Sequence, residues 1–348
     1  MRIYLDHNST APLRNEAKQA MVEAMNIVGN PSSVHLEGRA AKALIENARM
    51  KIAAAIGAVG ADIIFTSGAT ESAALALVGR DIACSKIEHE AVTSWCDVKL
   101  SVDRYGLVDI KKPSQSALQV ANSETGIIQK SVSGLWLSDM TQAFGKVPLA
   151  FNWHGCNCAM ISAHKIGGPK GVGALIVKRG TDLAAQIKGG GQEMGRRSGT
   201  ENVIGIVGFG SAAEAAEKDL RNGKWEKISQ FRMILENMIE EFSDVPILIG
   251  KDSNRLPNTT CLVTPGWKGE SQVMQMDLEG IAVSAGSACS SGKVRSSDVL
   301  KAIGLEESDA SCALRISLGL DTTEEDVVRF AEIWTKKFEH NLKRKNRI

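Results

Sequence analysis

No sign of charge dominates this chain. Its 41 Lys and Arg residues face 40 Asp and Glu, a formal net charge of +1. That balance removes the electrostatic reason to expect a nucleic acid or a membrane surface as partner. No apolar run approaches the ~20 residues that a spanning helix needs. The opening Met1-Arg2-Ile3-Tyr4-Leu5-Asp6 reaches an acid too soon for a secretory signal. Cysteines are few and odd in number, at positions 84, 96, 156, 158, 261, 289 and 312, without the spacing of a disulfide framework. A reducing, cytoplasmic setting is therefore expected. Internal repeats and low-complexity segments are absent as well. What is present is a 348-residue chain with 43% hydrophobic residues, enough for one large domain and a smaller one.

Hydrophobic periodicity predicts helices over 15–28 and 38–56. Short apolar strands then alternate with helices: 63–65, 82–84, 117–121, 135–137, 158–161 and 174–177. Continuous apolar strands between helices predict an α/β domain with a mostly parallel sheet flanked by helices. Helices over 201–220 and 225–242 follow. After Gly250 the pattern becomes that of a smaller α+β domain, with strands at 260–263, 281–284 and 314–317. Its last helix has a possible capping box, Thr322 with Glu325. Three connections are short (77–89, 106–122 and 129–139), and the last has no room for a helix. A parallel crossover normally takes a dozen or more residues. Either neighbouring strands rearrange there or extended loops stand where helices would be.

Three segments carry chemistry. Ser162-Ala163-His164-Lys165 ends an apolar strand and opens a glycine-rich turn, Gly167 to Gly173. A lysine there reads either as a snorkelling surface residue or as a desolvated amine able to attack carbonyls. Asp139 ends another apolar strand, with Gln142 three residues on; an acid is what pyridoxal-phosphate enzymes set against the pyridinium nitrogen. Phe65 to Glu71 reads as strand, glycine turn and helix start, a place for phosphate.

With these in place the sequence resembles the cysteine desulfurases, pyridoxal-phosphate enzymes of the class V aminotransferase group. The likeness runs nearly end to end. It includes Leu5 to Pro12, Gly29 to His35, Thr66 to Glu71, Glu88 to Val92, Asn122 to Gly126, Asp139 to Gln142, Ser162 to Gly173, Gly189 to Glu193, Arg197 to Thr200, Ser284 to Ser291 and Leu314 to Gly319. The resemblance implies pyridoxal-phosphate fold type I. It places a large cofactor-binding domain over 13–222, and a small domain over 1–12 and 223–348 that carries the catalytic cysteine loop.

It also implies roles. Lys165 would hold pyridoxal 5'-phosphate covalently and then move protons at the substrate α-carbon. Asp139 would pair with the pyridinium nitrogen and Gln142 with the ring hydroxyl. Ala69, Thr70, Ser162 and His164 would bind the phosphate. Thr200 would reach the phosphate in the other subunit of a homodimer. His89 would lie over the ring and shuttle protons, a task suited to a pKa near neutrality. Arg315, with Asn122, would bind the substrate, Arg315 taking its carboxylate in a planar fork. Asn122 and Ser123 would contact the cofactor, Ser123 standing where the family usually has a second asparagine. Leu137 and Met140 also depart from the usual pattern.

The discriminating residue is Cys289, in a run of small and polar residues, Ser284 to Gly292. Composition alone leaves it either reactive or inert. The resemblance makes it the thiolate that takes sulfur from L-cysteine, leaving L-alanine and an enzyme persulfide for iron–sulfur cluster assembly. A sulfur-acceptor or scaffold protein is then an expected partner. Selenocysteine lyase, a class V aminotransferase and a non-enzymatic scaffold paralogue are the rival readings. No metal is expected: His154, Cys156 and Cys158 read as a histidine with buried thiols. His35 reads as structural, and the basic end (Lys336, Lys337, Lys343 to Lys345) as a solvated helix face.

Overall fold

The structure is a computed structural model that describes residues 2–286 and 296–345. Its main sheet places Asp62–Thr66, Gly173–Val177, Cys158–Ser162, Leu137–Asp139 and Ala117–Gln119 side by side in that order. Four of these strands run one way. Gly173–Val177 runs against them, antiparallel to both neighbours, so the sheet is mostly parallel in direction but mixed in its pairings. Ala83–Ser85 joins beyond Ala117–Gln119 through a single bridge and pairs in parallel with an edge strand, Asp97–Leu100. The inner strands read apolar because both their faces are covered: Cys158–Ser162 and Gly173–Val177 are buried at every position.

One face carries the helices Asn15–Met25, Leu36–Ala55 and Val203–Arg221, which pack on one another. His35 caps the second of these, its Nδ1 accepting from Gly38 N at 3.3 Å, which agrees with a structural role. The other face holds Ala69–Leu77 and a single turn, Glu90–Thr93. The short connection from Ala117–Gln119 to Leu137–Asp139 resolves in favour of an extended loop. Residues 120–136 contain no helix, and their shape is held by bridges Ala121–Ile128 and Ile127–Arg255. Trp136 closes that end, donating from its indole to Ala76 O at 2.8 Å beneath the Arg80 guanidinium. Cys156 and Cys158 are buried thiols, both pushed up to about 12 by burial.

A second sheet orders Ser284–Ala285, Ala313–Ser317, Thr259–Val263 and Ile247–Leu248, all antiparallel. The single strand expected over 281–284 is split at Val283. Ile281–Ala282 pairs with Ile3–Tyr4, and Ser284–Ala285 with Leu314 and Arg315. Ile3 and Leu5 thus join one core with the helices Lys224–Phe242 and Glu324–Lys345. The cap of the last helix lies one residue beyond its expected place. Thr323 and Asp326 exchange the reciprocal bonds at 2.9 and 3.2 Å, while Thr322 Oγ1 accepts from Gly319 N.

One buried ion pair ties the glycine-rich segment after residue 188 to the main sheet. Glu193 and Met194 stand at φ 49° and 58°, a left-handed backbone unusual for side-chain-bearing residues. Glu193 is buried and accepts from Arg49 at 2.8 and 2.9 Å and from Phe65 N at 2.8 Å. Removing the guanidinium would leave a buried carboxylate without its cation. We expect Arg49→Met to cost about 3 kcal/mol or more of unfolding free energy. Arg49→Met with Glu193→Met should recover most of it in urea titration; a single variant as stable as the parent would refute the role given to this pair.

Candidate active site

A cavity of about 560 Å³ opens where the two sheets meet the chain's first residues. Its lining includes Ser9, Ala69, Thr70, His89, Ser123, Gln142, Ser162, His164, Lys165 and Arg315. Nine of the residues singled out by sequence are therefore in one place.

Strand ends and helix starts supply them. Lys165 lies in a short turn after Cys158–Ser162. Its Nζ donates to the main-chain oxygens of Asn8 and Ser9 at 2.7 and 2.8 Å, so the N-terminal segment fixes the amine. Gly68 precedes Ala69–Leu77 and caps it with no side chain, so the first-turn N–H groups retain their pull on an anion. Gly173 makes this corner possible: a Cβ there would fall 2.7 Å from Gly68 Cα. Glu71 accepts from Ser67 N at 2.8 Å and pairs with Arg197 at 2.9 Å. That is why its carboxyl stays below the usual range despite burial. His89 caps Glu90–Thr93, its Nδ1 accepting from Ala91 N at 3.1 Å. That bond requires a lone pair on Nδ1 and so puts the proton of the neutral ring on Nε2.

Asp139 lies beneath the cavity rather than in its lining. Burial raises its carboxyl above the ordinary value, while the bond from Thr141 N and the nearness of His89 and Lys165 lower it. Burial together with Lys165 and Lys170 brings His164 down to about 4. Arg315 reaches the cavity with part of its fork in use: Nη2 donates to Asp6 at 2.8 Å and Ser9 Oγ at 2.7 Å, and Nη1 to Ser123 O at 3.2 Å. Its buried Nε has no partner among the described residues.

Three expected site residues stand apart. The side chain of Asn122 is engaged inside the fold. Oδ1 accepts from Glu124 N, Thr125 N and Thr125 Oγ1, and Nδ2 donates to Ile87 O at 3.0 Å. It braces the segment leading to His89. Thr200 is exposed and lines a smaller pocket of about 120 Å³ beside Ser67 and Arg197. Cys289 lies outside the described residues.

Residues without an assigned role also belong here. Asn8, Thr10, Thr141 and Lys170 line the cavity, and Lys146 stands behind Gln142. The signal for the first two was a polar run directly after the apolar Ile3 and Leu5. His7, next in that run, packs on Gly319, where any Cβ would fall 1.9 Å from its ring. Burial, with Lys146 nearby, pushes His7 down to about 4 from 6.5. Above pH 6.5 the ring is neutral whether the chain is folded or not. Below it the unfolded chain takes the proton first, so stability falls as pH drops from 6.5 towards 4. We expect His7→Asn to shrink that acid-side loss by about 3 kcal/mol in denaturant titrations at the two pH values. An unchanged loss would put the acid sensitivity elsewhere.

The sequence profile of the family described as Aminotransferase class-V matches residues 3–330. The cysteine desulfurase IscS of Dictyoglomus turgidum is 40% identical over 93% of this chain and 91% of that protein. The cysteine desulfurase IscS 1 of Archaeoglobus fulgidus is 38% identical over 95% of each. Among solved structures, a NifS-like protein from Rickettsia africae overlays with a TM-score of 0.89 at 32% identity, covering 97% of this chain and 100% of that one. SspA in complex with cysteine overlays with a TM-score of 0.75 at 28% identity, covering 91% and 99%. With an α/β fold of type I, a lysine at the strand end and matches along almost the whole sequence, the chain belongs to the class-V aminotransferase family, on its cysteine desulfurase branch.

Proposed function

We propose that the chain binds pyridoxal phosphate in the 560 Å³ cavity and removes sulfur from L-cysteine, leaving L-alanine and a persulfide on Cys289. The observation that carries this is Lys165 held between an uncapped helix start and Arg315 in one cavity. The donors present fit the cofactor. First-turn N–H groups of Ala69 and Thr70, with Ser162 and His164, suit its phosphate, and Gln142 and Ser123 suit the ring's edge. Thr141 Oγ1, buried and without a partner among the described residues, is a further donor at hand. Asp139 suits the ring nitrogen. When bound, pyridoxal phosphate supplies the electron sink for the substrate α-carbon.

The protein's own part is positioning and proton movement. Lys165 takes and returns the proton at the α-carbon, from a direction fixed by two carbonyl oxygens. His89 lines the cavity, with the proton of its neutral ring on Nε2. Arg315 draws the substrate carboxylate, which must compete with Asp6 for Nη2. SspA, solved with cysteine, supports the choice of substrate.

A homodimer belongs to the same proposal. Thr200 does not line its own chain's cavity, so its hydroxyl is available to a partner's. Next to its segment, joined by Gln192 to Ser32 at 3.3 Å, Val34 and Leu36 are 87% and 68% exposed. We assign 13–222 to the cofactor-binding domain and 1–12 with 223–348 to the small domain. The persulfide would pass to a sulfur-acceptor or iron–sulfur scaffold protein in the cytoplasm; no helix of the described residues is long and apolar enough to cross a membrane.

The test is stoichiometry. With L-cysteine and a thiol reductant, the purified protein should release sulfide and alanine in equal amounts. Keto acid without sulfide would turn the reading to an aminotransferase.

A further inference from the structure

Lys146 is buried, and among the described residues it pairs with no carboxylate. It is 4% exposed, and its Nζ donates to Asn8 Oδ1 at 2.9 Å and to Gln142 Oε1 at 3.0 Å. Both acceptors are neutral amides. We propose that Lys146 is a positioning residue for the reaction: it fixes the amides of Gln142 and Asn8 in one sense, so that Gln142 meets the cofactor's ring oxygen as a donor. This rests on the cofactor reading given above.

The geometry leaves little freedom. An amide has one accepting and one donating end. With Oε1 of Gln142 on Lys146, Nε2 is turned to Asn8 O at 3.0 Å and to the cavity. A flipped Gln142 would set its oxygen against Asn8 O and, with Lys146 protonated, N–H against N–H. Asn8 is fixed likewise: its Oδ1 accepts from both Lys146 and Asn258 Nδ2 (3.1 Å), and its Nδ2 donates to Thr259 Oγ1 at 2.9 Å and Ser123 O at 3.2 Å. The same Asn8 presents the carbonyl that holds Lys165. One amine therefore sets the direction of a cofactor donor and of the residue that orients the reacting lysine.

Charge supports this arrangement. Lys165 and Arg315 are the cations that face Lys146, and its charge also reaches His7, on which Asp321 and Asp6 act in the opposite sense. Burial and these cations bring Lys146 down to about 7. As a neutral amine it still has two N–H for its two acceptors. Protonated, it adds a positive charge behind the ring oxygen, where an anion is favoured.

The experiment uses the full chain, freed of cofactor, and pyridoxal phosphate as the probe. Affinity is read from quenching of tryptophan fluorescence, and the pH midpoint from the visible band of the bound form. Lys146→Met should bind about tenfold more weakly, the size of one lost hydrogen bond to a charged group. Its midpoint should move up by about one pH unit, as the loss of a nearby donor and cation requires. The same substitution made in a Gln142→Ala background should change affinity by less than about threefold, because the effect passes through Gln142. Gln142→Glu is read independently of how Lys146→Met folds. It keeps the pair with Lys146 but turns an oxygen to the cavity, and should bind at least about tenfold more weakly than the parent. Wild-type affinity and midpoint in Lys146→Met, or an undiminished effect in the Gln142→Ala background, would overturn the proposal, as would parent-like binding by Gln142→Glu. A parent protein that gives no visible band would instead overturn the cofactor reading itself.

Discussion

Lys165→Ala should lose about three orders of magnitude or more of L-cysteine turnover while its thermal unfolding stays close to the parent's. The expectation rests on where the amine is held. It donates to main-chain oxygens, Asn8 O and Ser9 O, which no side-chain variant can supply or remove. Without Lys165 the cavity keeps its anion-binding helix start, Ser162 and His164, so pyridoxal phosphate should still enter. It should then pass off the protein on desalting, where the parent retains it. The contrast between binding and retention is what separates a covalent role from a merely electrostatic one. Turnover within tenfold of the parent would remove Lys165 from the centre of the mechanism.

The cavity's charges show why an amine can work there. Lys165, Lys146 and Arg315 lie close enough to affect one another, with His164 and Lys170 beside them. The carboxyls nearest these cations are held back. Asp6 is paired with Arg315. Asp139 and Glu124 are buried and raised, Glu124 to about 7. A site in which cations are crowded and acids are reluctant to ionise attracts phosphate and carboxylate groups. Lys146 is held there nearer to its neutral form.

Much of this was legible in the sequence because the inner strands are apolar on both faces and end in chemistry-bearing residues. Lys165, Asp139 and Ala69 each lie at the end of a strand or just past its turn, and periodicity locates such ends well. The antiparallel course of Gly173–Val177 was not legible, since a strand buried on both faces reads the same in either direction. Nor were the bonds of Asn122, whose amide meets main-chain groups of Ile87, Glu124 and Thr125. An asparagine in a turn can bond in several ways, and only the fold decides among them. Lys146 escaped notice for a related reason. A lysine following glycine in a turn reads as solvent-exposed, and its burial depends on Asn8, distant in sequence.

Cys289→Ser should leave cofactor binding intact and release no sulfide above a thousandth or so of the parent rate. A serine hydroxyl is too weakly acidic to be ionised near neutrality and has no comparable affinity for sulfur. In the proposed reaction the Cys289 thiolate bonds to the sulfur of L-cysteine. The C–S bond breaks with its electron pair passing to carbon, a proton is taken up there, and alanine leaves. The described residues set the approach. Ser284–Ala285 is bonded to the strand of Arg315, with Ser284 opposite Arg315 itself, so the chain runs into 287–295 from beside the cavity. Only Ser287 and Ala288 stand between Gly286 and Cys289 in the sequence. Two readouts separate this from simple loss of fold. After L-cysteine without reductant, the parent should carry one cyanide-releasable sulfur per chain, and Cys289→Ser none. Alanine or keto acid that persists in Cys289→Ser would mean that the cavity's chemistry does not need the thiol. The chain would then be an aminotransferase or a lyase built on the desulfurase fold.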